Sequence, residues 1–248
     1  MSIDQAAKAD VQARYDGMAA AELSGAGVFE PLTRAKRYFR GRKLAAALAM
    51  GRFPGGAELL EIGCSVGQFT IPLARHGYAV WGMDLSPASV EVARRRAEAS
   101  GVSGVTFLSG DAEDLGQFPD GRFDGVMSLS TLRYVADLPR ALAEIRRVLR
   151  PGGTAVMDFP NRWCPWFYLK PWLGSERHPC DHWFSAGAVK RLVEEAGLRG
   201  VRVQHLLFTP TVAPEPLLPL FAGADWIGER LPLLRRLAGI IMVAATKR

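Results

Sequence analysis

The sequence lacks the features of membrane-spanning and secreted chains. No apolar run reaches the roughly 18 residues that a transmembrane helix needs, and residues 1–17 contain no apolar stretch typical of a signal peptide. The three cysteines, Cys64, Cys164 and Cys180, form an odd set without C-x-x-C spacing. We therefore expect a cytoplasmic protein with reduced thiols.

The sequence also lacks a dense basic tract, although its net charge is +6. Its arginines and lysines are dispersed, as in Arg94–Arg96 within a helical pattern, which argues against a nucleic-acid-binding tail. Residues 217–242 interleave arginines with Leu, Ile and Trp. This pattern suits weak contact with an anionic membrane surface, and helix packing explains it equally well. Arg37, Arg42 and Lys43 are expected to be exposed cations, and the alternative is contact with an acidic acceptor or with the carboxylate of a cofactor.

Apolar runs alternate with helical patterns along most of the chain. Seven runs are predicted strands: AELLEI, YAVWGMD, VTFLSGD, FDGVMSLS, TAVMDF, VRVQHLLF and GIIMVAATK. A helix is predicted from Ser86, with Ser86 as the N-cap and Pro87 as its first residue, and another ends near Arg150 at PGG. The alternation predicts an α/β fold with a doubly wound, mostly parallel sheet and ligands beyond the strands' carboxyl ends.

The order of these elements predicts one domain, residues 1–248, made of four parts. Residues 1–56 form a helical cover and residues 57–158 a cofactor-binding core. Residues 159–184 form an insert rich in aromatic residues and proline, and residues 185–248 contain the late helices and strands. No internal repeat or low-complexity linker divides the chain.

The stretch LLEIGCSVGQFT, residues 59–70, predicts a glycine turn between a strand and a helix, where backbone N–H groups meet a ligand. A nicotinamide dinucleotide is one alternative ligand for such a turn. Its fingerprint, G-x-G-x-x-G, fails here, because the frame reads Gly63-Cys64-Ser65-Val66-Gly67-Gln68. The second and third fingerprint glycines are missing.

Acids end three successive predicted strands: Glu61, Asp84 and Asp111. Asp84 is able to accept two ribose hydroxyls, because a carboxylate accepts hydrogen bonds at both oxygens. Asp111 suits an exocyclic amine, and Glu61 suits a cationic ammonium. The pattern indicates a ligand with a ribose, an amine-bearing base and positive charge.

Three stretches, LLEIGCSVGQFT, VWGMDLSPASVEVAR and the long run from FLSGDAEDL to RRVLRPGG, resemble the class I S-adenosylmethionine-dependent methyltransferases. The resemblance covers about residues 57–160, within the subgroup that acts on small molecules and has ubiquinone and menaquinone methyltransferases among its relatives. It implies a Rossmann-like, seven-stranded, mostly parallel sheet with a reversed last strand. It also implies S-adenosylmethionine as the cofactor.

The resemblance assigns roles to individual residues. It places Asp84 at the ribose, Asp111 at the adenine amine, and Glu61 and Gly63 at the methionine portion, while Cys64 and Gly67 belong to the turn that holds the cofactor. The further implied contacts are Leu85 and Ala112 beside the adenine and Leu129 near the methionyl group. The family usually has glycine in place of Ser65, so we expect a slightly altered turn.

The acceptor of the methyl group is expected to contact parts of the chain outside the core. The rings of the insert suit a lid over an apolar or planar acceptor, and burial in the core is the alternative. His182 and His178 are candidate bases or polar gates, and Tyr15 is a candidate aromatic contact over the cofactor. Pro179 disfavours the helix that would align the two histidines, so no metal is expected in HPCDH.

These features predict methyl transfer to O, N or C of a small, apolar or aromatic acceptor. One alternative is a methyltransferase for a membrane lipid or quinone, and another is a non-catalytic cofactor-binding partner subunit. Nucleic-acid substrates are not expected, since the fourth strand is followed by SLSTL and not by the Asn/Asp-Pro-Pro-aromatic signature of base methylation. The oligomeric state stays open.

Overall fold

The structure is a computed structural model that describes residues 3–25, 27, 29, 32–169, 182–210 and 213–248. Its helices and strands alternate as the sequence predicts. In chain order they are α1 (Ile3–Leu23), α2 (Arg34–Gly51), β1 (Glu58–Ile62), α3 (Thr70–Arg75), β2 (Ala79–Asp84), α4 (Pro87–Ala99), β3 (Val105–Ser109), β4 (Phe123–Ser128), α5 (Leu138–Val148), β5 (Leu149–Pro160), α6 (Pro165–Leu169), α7 (Ala186–Glu195), β6 (Arg199–Leu206), α8 (Leu218–Gly228) and β7 (Ile240–Thr246).

Side-chain caps mark where several of the helices begin. The Ser86 side chain accepts the Ser89 amide at 3.0 Å and Pro87 is the first residue of α4, as the sequence predicts. Thr33 caps α2 in the same way, at 3.2 Å from the Lys36 amide. Such caps satisfy amide groups that have no partner inside the helix.

The seven strands form one sheet in the order β3-β2-β1-β4-β5-β7-β6. Strands β1 to β5 pair in parallel, and β7 runs antiparallel to both β5 and β6. The predicted mostly parallel sheet with a reversed last strand is therefore confirmed. Among the described residues, no helix has both the length and the apolar character needed to cross a membrane.

Helices cover both faces of the sheet because successive strand residues point to opposite sides. In β1, Leu59 packs with Ala47 and Met50 of α2, whereas Leu60 packs with Leu142 and other side chains from α5 and α7. Because β1 to β5 run parallel, their carboxyl ends lie at one edge of the sheet. Helices α1 and α2 contribute side chains to the cavity at that edge.

Candidate active site

The turn after β1 is held against β2 by backbone hydrogen bonds. The amides of Gly63 and Cys64 donate to the Met83 carbonyl at 2.7 and 3.0 Å. Gly63 and Gly67 have φ values of +79° and +77°, a region that favours glycine. A Cβ atom on Gly63 would lie 1.9 Å from Thr131 Oγ1, so this position also requires glycine for space.

Ser65 adopts a left-handed backbone conformation, which is uncommon for residues other than glycine. Its φ is +47°, and its amide donates to Asp84 Oδ2 at 2.8 Å. Its hydroxyl is buried and has no hydrogen-bond partner among the described residues. The serine thus keeps a left-handed turn at a conformational cost of about 1 kcal/mol.

Asp84 ends β2 beside this turn. Its Oδ2 accepts the Ser65 amide and its Oδ1 accepts the Ser86 amide at 2.9 Å. Burial raises the pKa of Asp84, and the backbone donors at Ser86 and Ser65 oppose that shift. Each carboxylate oxygen has two lone pairs, so each retains a site for a ligand hydroxyl.

Glu61 is fully buried at the end of β1. One carboxyl oxygen, Oε2, accepts the Thr70 hydroxyl, while Oε1 has no hydrogen-bond partner among the described residues. Burial raises the pKa of Glu61 to about 8, and the hydrogen bonds from Thr70, followed by the positive charge of Lys43, partly offset this. Oε1 therefore provides an acceptor suited to a cationic donor.

Asp111 lies two residues beyond β3, where α1 reaches the sheet. Lys8 of α1 donates to Asp111 Oδ2 and to Glu113 Oε2, both at 2.7 Å. Burial acts to lower the pKa of Lys8, but the hydrogen bonds to the two acids raise it on balance. Glu113 also accepts the amides of Ala136 and Asp137, so the helical cover and the loop after β4 meet at this acid. Sequence reasoning missed Lys8 and Glu113, because no local pattern marks them.

Tyr15 of α1 lies in the same cavity as Asp84. Burial, followed by the neighbouring Tyr134, raises the pKa of Tyr15 well above its ordinary value. The two rings meet edge to face with centroids 6.4 Å apart. Tyr15 therefore keeps its proton at neutral pH and is suited to contact a ligand, not to accept a proton from one.

Lys43 is buried, contrary to the expectation of an exposed cation. Its side chain is 1% exposed, forms an ion pair with Asp158 at the end of β5, and donates to Ser130 Oγ at 2.5 Å. Arg42, also expected to be exposed, pairs with Glu229 at 2.6 Å. The sequence of α2 does not predict the burial of Lys43, because α2 carries several cations and charge alone does not tell which of them faces inward.

A cavity of about 430 Å³ joins these groups at the carboxyl edge of the sheet. It brings together eight of the predicted site residues: Tyr15, Gly63, Cys64, Asp84, Leu85, Asp111, Ala112 and Leu129. Glu61 and Gly67 support the wall without lining it. His182 is exposed, donates its amide to the Arg133 carbonyl at 3.2 Å and does not line the cavity. His178 lies outside the described residues.

The described part of the aromatic insert packs away from this cavity. Trp166 Nε1 donates to the Phe208 carbonyl at 2.6 Å, and Phe167 stacks on Trp183 with centroids 5.1 Å apart. No described insert residue lines the cavity, and residues 170–181, which include Trp172, are outside the described residues. The lid therefore stays a prediction. In the described ranges no three side chains of His, Cys, Asp or Glu form a metal-binding group.

Comparisons with known proteins agree with this geometry. Residues 60–157 match the family described as "Methyltransferase domain". The chain is 32% identical over 163 residues to the ubiquinone biosynthesis O-methyltransferase of Cereibacter sphaeroides, a match that covers 62% of this chain and 65% of that protein. It is 40% identical over 124 residues to the demethylmenaquinone methyltransferase of Thermus thermophilus, covering 49% of this chain and 54% of that one. Residues 60–157 therefore carry a methyltransferase domain similar to those of the class I S-adenosylmethionine-dependent methyltransferases.

The fold comparison supports the same conclusion for the architecture. An S-adenosylmethionine-dependent methyltransferase of Thermotoga maritima superposes with a TM-score of 0.63 at 22% identity, covering 86% of this chain and 91% of that one. The sequence matches, in contrast, span less than two thirds of the length of the two quinone methyltransferases.

The residues present fit S-adenosylmethionine, the cofactor of this methyltransferase family. The unpartnered Oε1 of Glu61 suits its ammonium, and the free lone pairs of Asp84 suit the ribose hydroxyls. The glycine at position 63 leaves room that a Cβ atom would remove.

Proposed function

We propose that this protein transfers a methyl group from S-adenosylmethionine to a small, apolar or aromatic acceptor at O, N or C. The observation that carries the proposal is the single cavity that joins the glycine turn, Asp84 and Asp111 to an aromatic wall of Tyr15, Phe39 and other rings. Apolar pockets with a few convergent polar groups are the usual sites of small-molecule binding.

The cofactor supplies a methyl group on a positively charged sulfur, which needs no metal for its transfer. The chain's contribution is to hold the donor at Glu61, the turn and Asp84, and to keep water from the reacting atoms. A base is required only where the acceptor must lose a proton early. His182 and His178 remain proposed bases or gates, and the insert around them remains the proposed lid.

The test is binding followed by transfer. The purified protein is titrated calorimetrically with S-adenosylhomocysteine and then incubated with methyl-labelled S-adenosylmethionine and fractionated small-molecule and lipid extracts. We expect binding and the appearance of label in an apolar fraction. Binding without transfer to any fraction would favour the alternative of a non-catalytic cofactor-binding subunit, and absence of binding would remove the proposal altogether.

A second candidate, a membrane-borne lipid or quinone acceptor, is favoured by the surface of residues 217–237, here called the C-terminal apolar surface. Of the twelve large apolar side chains that are exposed in the described residues, eight lie there: Leu217, Leu220, Trp226, Ile227, Leu231, Leu233, Leu234 and Leu237. Arg230 stacks on Trp226 at 4.1 Å, so cations accompany the exposed rings and leucines. This combination is typical of contact with an anionic lipid surface.

The C-terminal apolar surface is connected to the helix that lines the cavity. Asp225 of α8 accepts the Tyr38 hydroxyl at 2.9 Å, and Arg42 pairs with Glu229. Both partners belong to α2, which also contributes Phe39 and Lys43 to the cavity wall. An acceptor that leaves a bilayer at this surface would thus reach α2, the helix that forms part of the cavity wall.

Flotation with vesicles tests the second candidate. We expect binding to vesicles that contain phosphatidylglycerol, weaker binding to pure phosphatidylcholine, and loss of binding in the variant Leu220→Glu/Leu233→Glu. Leu23→Glu, at an exposed leucine of α1, is the matched control. Equal flotation of all variants would contradict membrane contact. Fractionation of cells that produce the protein tests the predicted cytoplasmic location.

A further inference from the structure

The two ends of the cavity differ in charge. One end is lined by the acids Asp84, Asp111 and Glu113, and the last two pair with Lys8, which also lines the cavity. The other end is lined by cations of α2, Lys36, Arg40 and Lys43, which share one helix face because their spacing is i, i+4, i+7. A ligand or ligand pair that fills the cavity is therefore expected to present cationic and hydroxyl groups at one end and negative charge at the other.

Lys43 is the fixed cation at the second end. Its ammonium pairs with Asp158, donates to Ser130 Oγ at 2.5 Å, and lies 5.8 and 5.9 Å from the ring centroids of Phe39 and Phe69. Lys43, Ser130 and both rings line the cavity. The ammonium has a hydrogen bond to Ser130 and an ion pair with Asp158, and three hydrogens to donate, so at least one is left for a ligand.

The backbone at Ser130 is held in an uncommon conformation by the same group. Its φ is +65°, although it is not glycine, and its amide donates to Asp158 Oδ1 at 2.5 Å. Strained residues of this kind cluster at ligand sites, where the surroundings fix them. Asp158 thus holds both the amide of Ser130 and the ammonium of Lys43, and the Lys43 ammonium in turn holds the Ser130 hydroxyl.

A buried ion pair is a weak source of stability, because desolvation offsets the attraction between the charges. Apolar residues often replace such a pair without loss of stability, although here the Ser130 amide would lose its acceptor, Asp158 Oδ1. The pair instead keeps an ammonium at a cavity wall with two aromatic neighbours. This placement favours a role in binding.

We propose that Lys43, positioned by Asp158 and Ser130, binds an anionic oxygen of a ligand at this end of the cavity. The inference rests on the proposed function and deepens it. The oxygen belongs either to the ionised hydroxyl or carboxyl group of the acceptor or to the carboxylate of the cofactor. For an acceptor hydroxyl, the oxygen binds after its proton has left to solvent.

The test uses the variant Lys43→Met/Asp158→Leu, which removes both charges together and leaves neither one buried alone. Lys43→Gln/Asp158→Asn is a second variant that keeps polar groups should the first not fold. Lys190→Met/Glu194→Leu removes a lysine–carboxylate pair from the exposed face of α7, where the atoms are 3.8 Å apart, and is the matched control.

Each protein is titrated with S-adenosylhomocysteine, with 5′-methylthioadenosine, which lacks the carboxylate, and with 4-nitrophenol in the presence of saturating S-adenosylhomocysteine. If the oxygen is the cofactor's, the Lys43 variants bind S-adenosylhomocysteine about tenfold more weakly and methylthioadenosine unchanged. If it is the acceptor's, nitrophenolate absorbance reports about tenfold weaker phenolate binding and cofactor affinity holds.

The inference would be overturned if each of the three probes bound the wild-type protein, the Lys43 variants and the control variant with the same affinity. Weak nitrophenol binding by the wild-type protein, together with unchanged cofactor affinity in the variants, would overturn it as well. Failure of the wild-type protein to bind S-adenosylhomocysteine would instead reject the proposed function, so the two failures are distinguishable.

Discussion

The two ends of the cavity differ in how their residues are arranged along the chain. The donor end, made by the glycine turn, Asp84 and Asp111, uses residues at the ends of consecutive strands. The cover end uses Lys43 of α2 together with Ser130 and Asp158 at the ends of β4 and β5, which lie at least 87 positions later in the chain. The donor end is therefore a property of local sequence, whereas the cover end exists only after the fold has formed.

The largest expected effect is that of Gly63→Ala at the donor end. The new Cβ atom would overlap Thr131 Oγ1 at 1.9 Å, and φ is +79°. We expect a loss of about 2–4 kcal/mol in the free energy of unfolding, measured with urea, together with loss of cofactor binding. Gly25→Ala is the control, since φ is +90° but nothing lies within 4 Å, and it should cost only about 1 kcal/mol. Equal losses would show that conformation, not space, limits this turn.

The next largest effect concerns the cofactor affinity of Asp84→Ala. Removing an acceptor of hydrogen bonds with a charged group costs about 1.5–3 kcal/mol for each bond lost. Calorimetry with S-adenosylhomocysteine measures the change on a variant checked for folding. Asp120→Ala, at an exposed acid whose side chain is 77% accessible, is the control. Unchanged affinity in Asp84→Ala would remove this residue from the donor end.

Glu61 should make both stability and cofactor binding depend on pH. Its pKa rises from 4.5 to about 8 on folding, so its proton is bound more tightly in the folded state. The protonated Glu61 side chain therefore contributes fully to the free energy of unfolding below about pH 4.5. This contribution is lost as the pH rises through about 8. Glu61→Gln should flatten this part of the urea-derived stability profile.

The same residue gives a prediction for binding. If the cofactor's ammonium meets ionised Glu61, binding at pH 7 releases close to one proton, because an acid with a pKa of about 8 is mostly protonated there. Calorimetry in buffers of different ionisation enthalpy measures the release. The absence of any buffer dependence, or an equal dependence in Glu61→Gln, would place the ammonium elsewhere.

The smallest effect is expected for Ser65→Gly. Glycine relieves the left-handed strain at φ +47° but loses more entropy on folding, so stability should change by less than about 1 kcal/mol. Affinity for S-adenosylhomocysteine should stay within a few fold. A large loss of affinity would instead show that the buried Ser65 hydroxyl contacts the ligand. The turn would then differ from the family pattern, which usually has glycine at this position, in how it binds the cofactor.

These differences explain what sequence reasoning was able to find. The cap at Ser86, the acids at the strand ends and the order of the strands follow from local patterns of one or two elements. The burial of Lys43 does not, because α2 carries several cations and only the position of Asp158 selects this one. Lys8 was missed for the same reason, since its partners Asp111 and Glu113 are about a hundred positions away.

The aromatic insert shows a different limit. Its composition predicts that the rings pack on something, and the described rings pack on one another and on the loop after β6. Composition does not tell which surface receives them, because an apolar ring is stabilised equally by core, partner or acceptor. Tests of the lid therefore require turnover measurements on Trp166→Ala and His182→Ala beside their melting temperatures.

The position of β7 has a consequence for the order of folding. β7 lies between β5 and β6 and is the strand with which β6 pairs in the described sheet. During synthesis β6 is therefore made well before β7, the strand that pairs with its backbone groups. The edge of β5 also stays unpaired until the seven residues of β7 have been made. The cavity edge at β1 to β4 is able to assemble earlier in synthesis. The period between the two events is when this chain most needs protection from pairing with other strands.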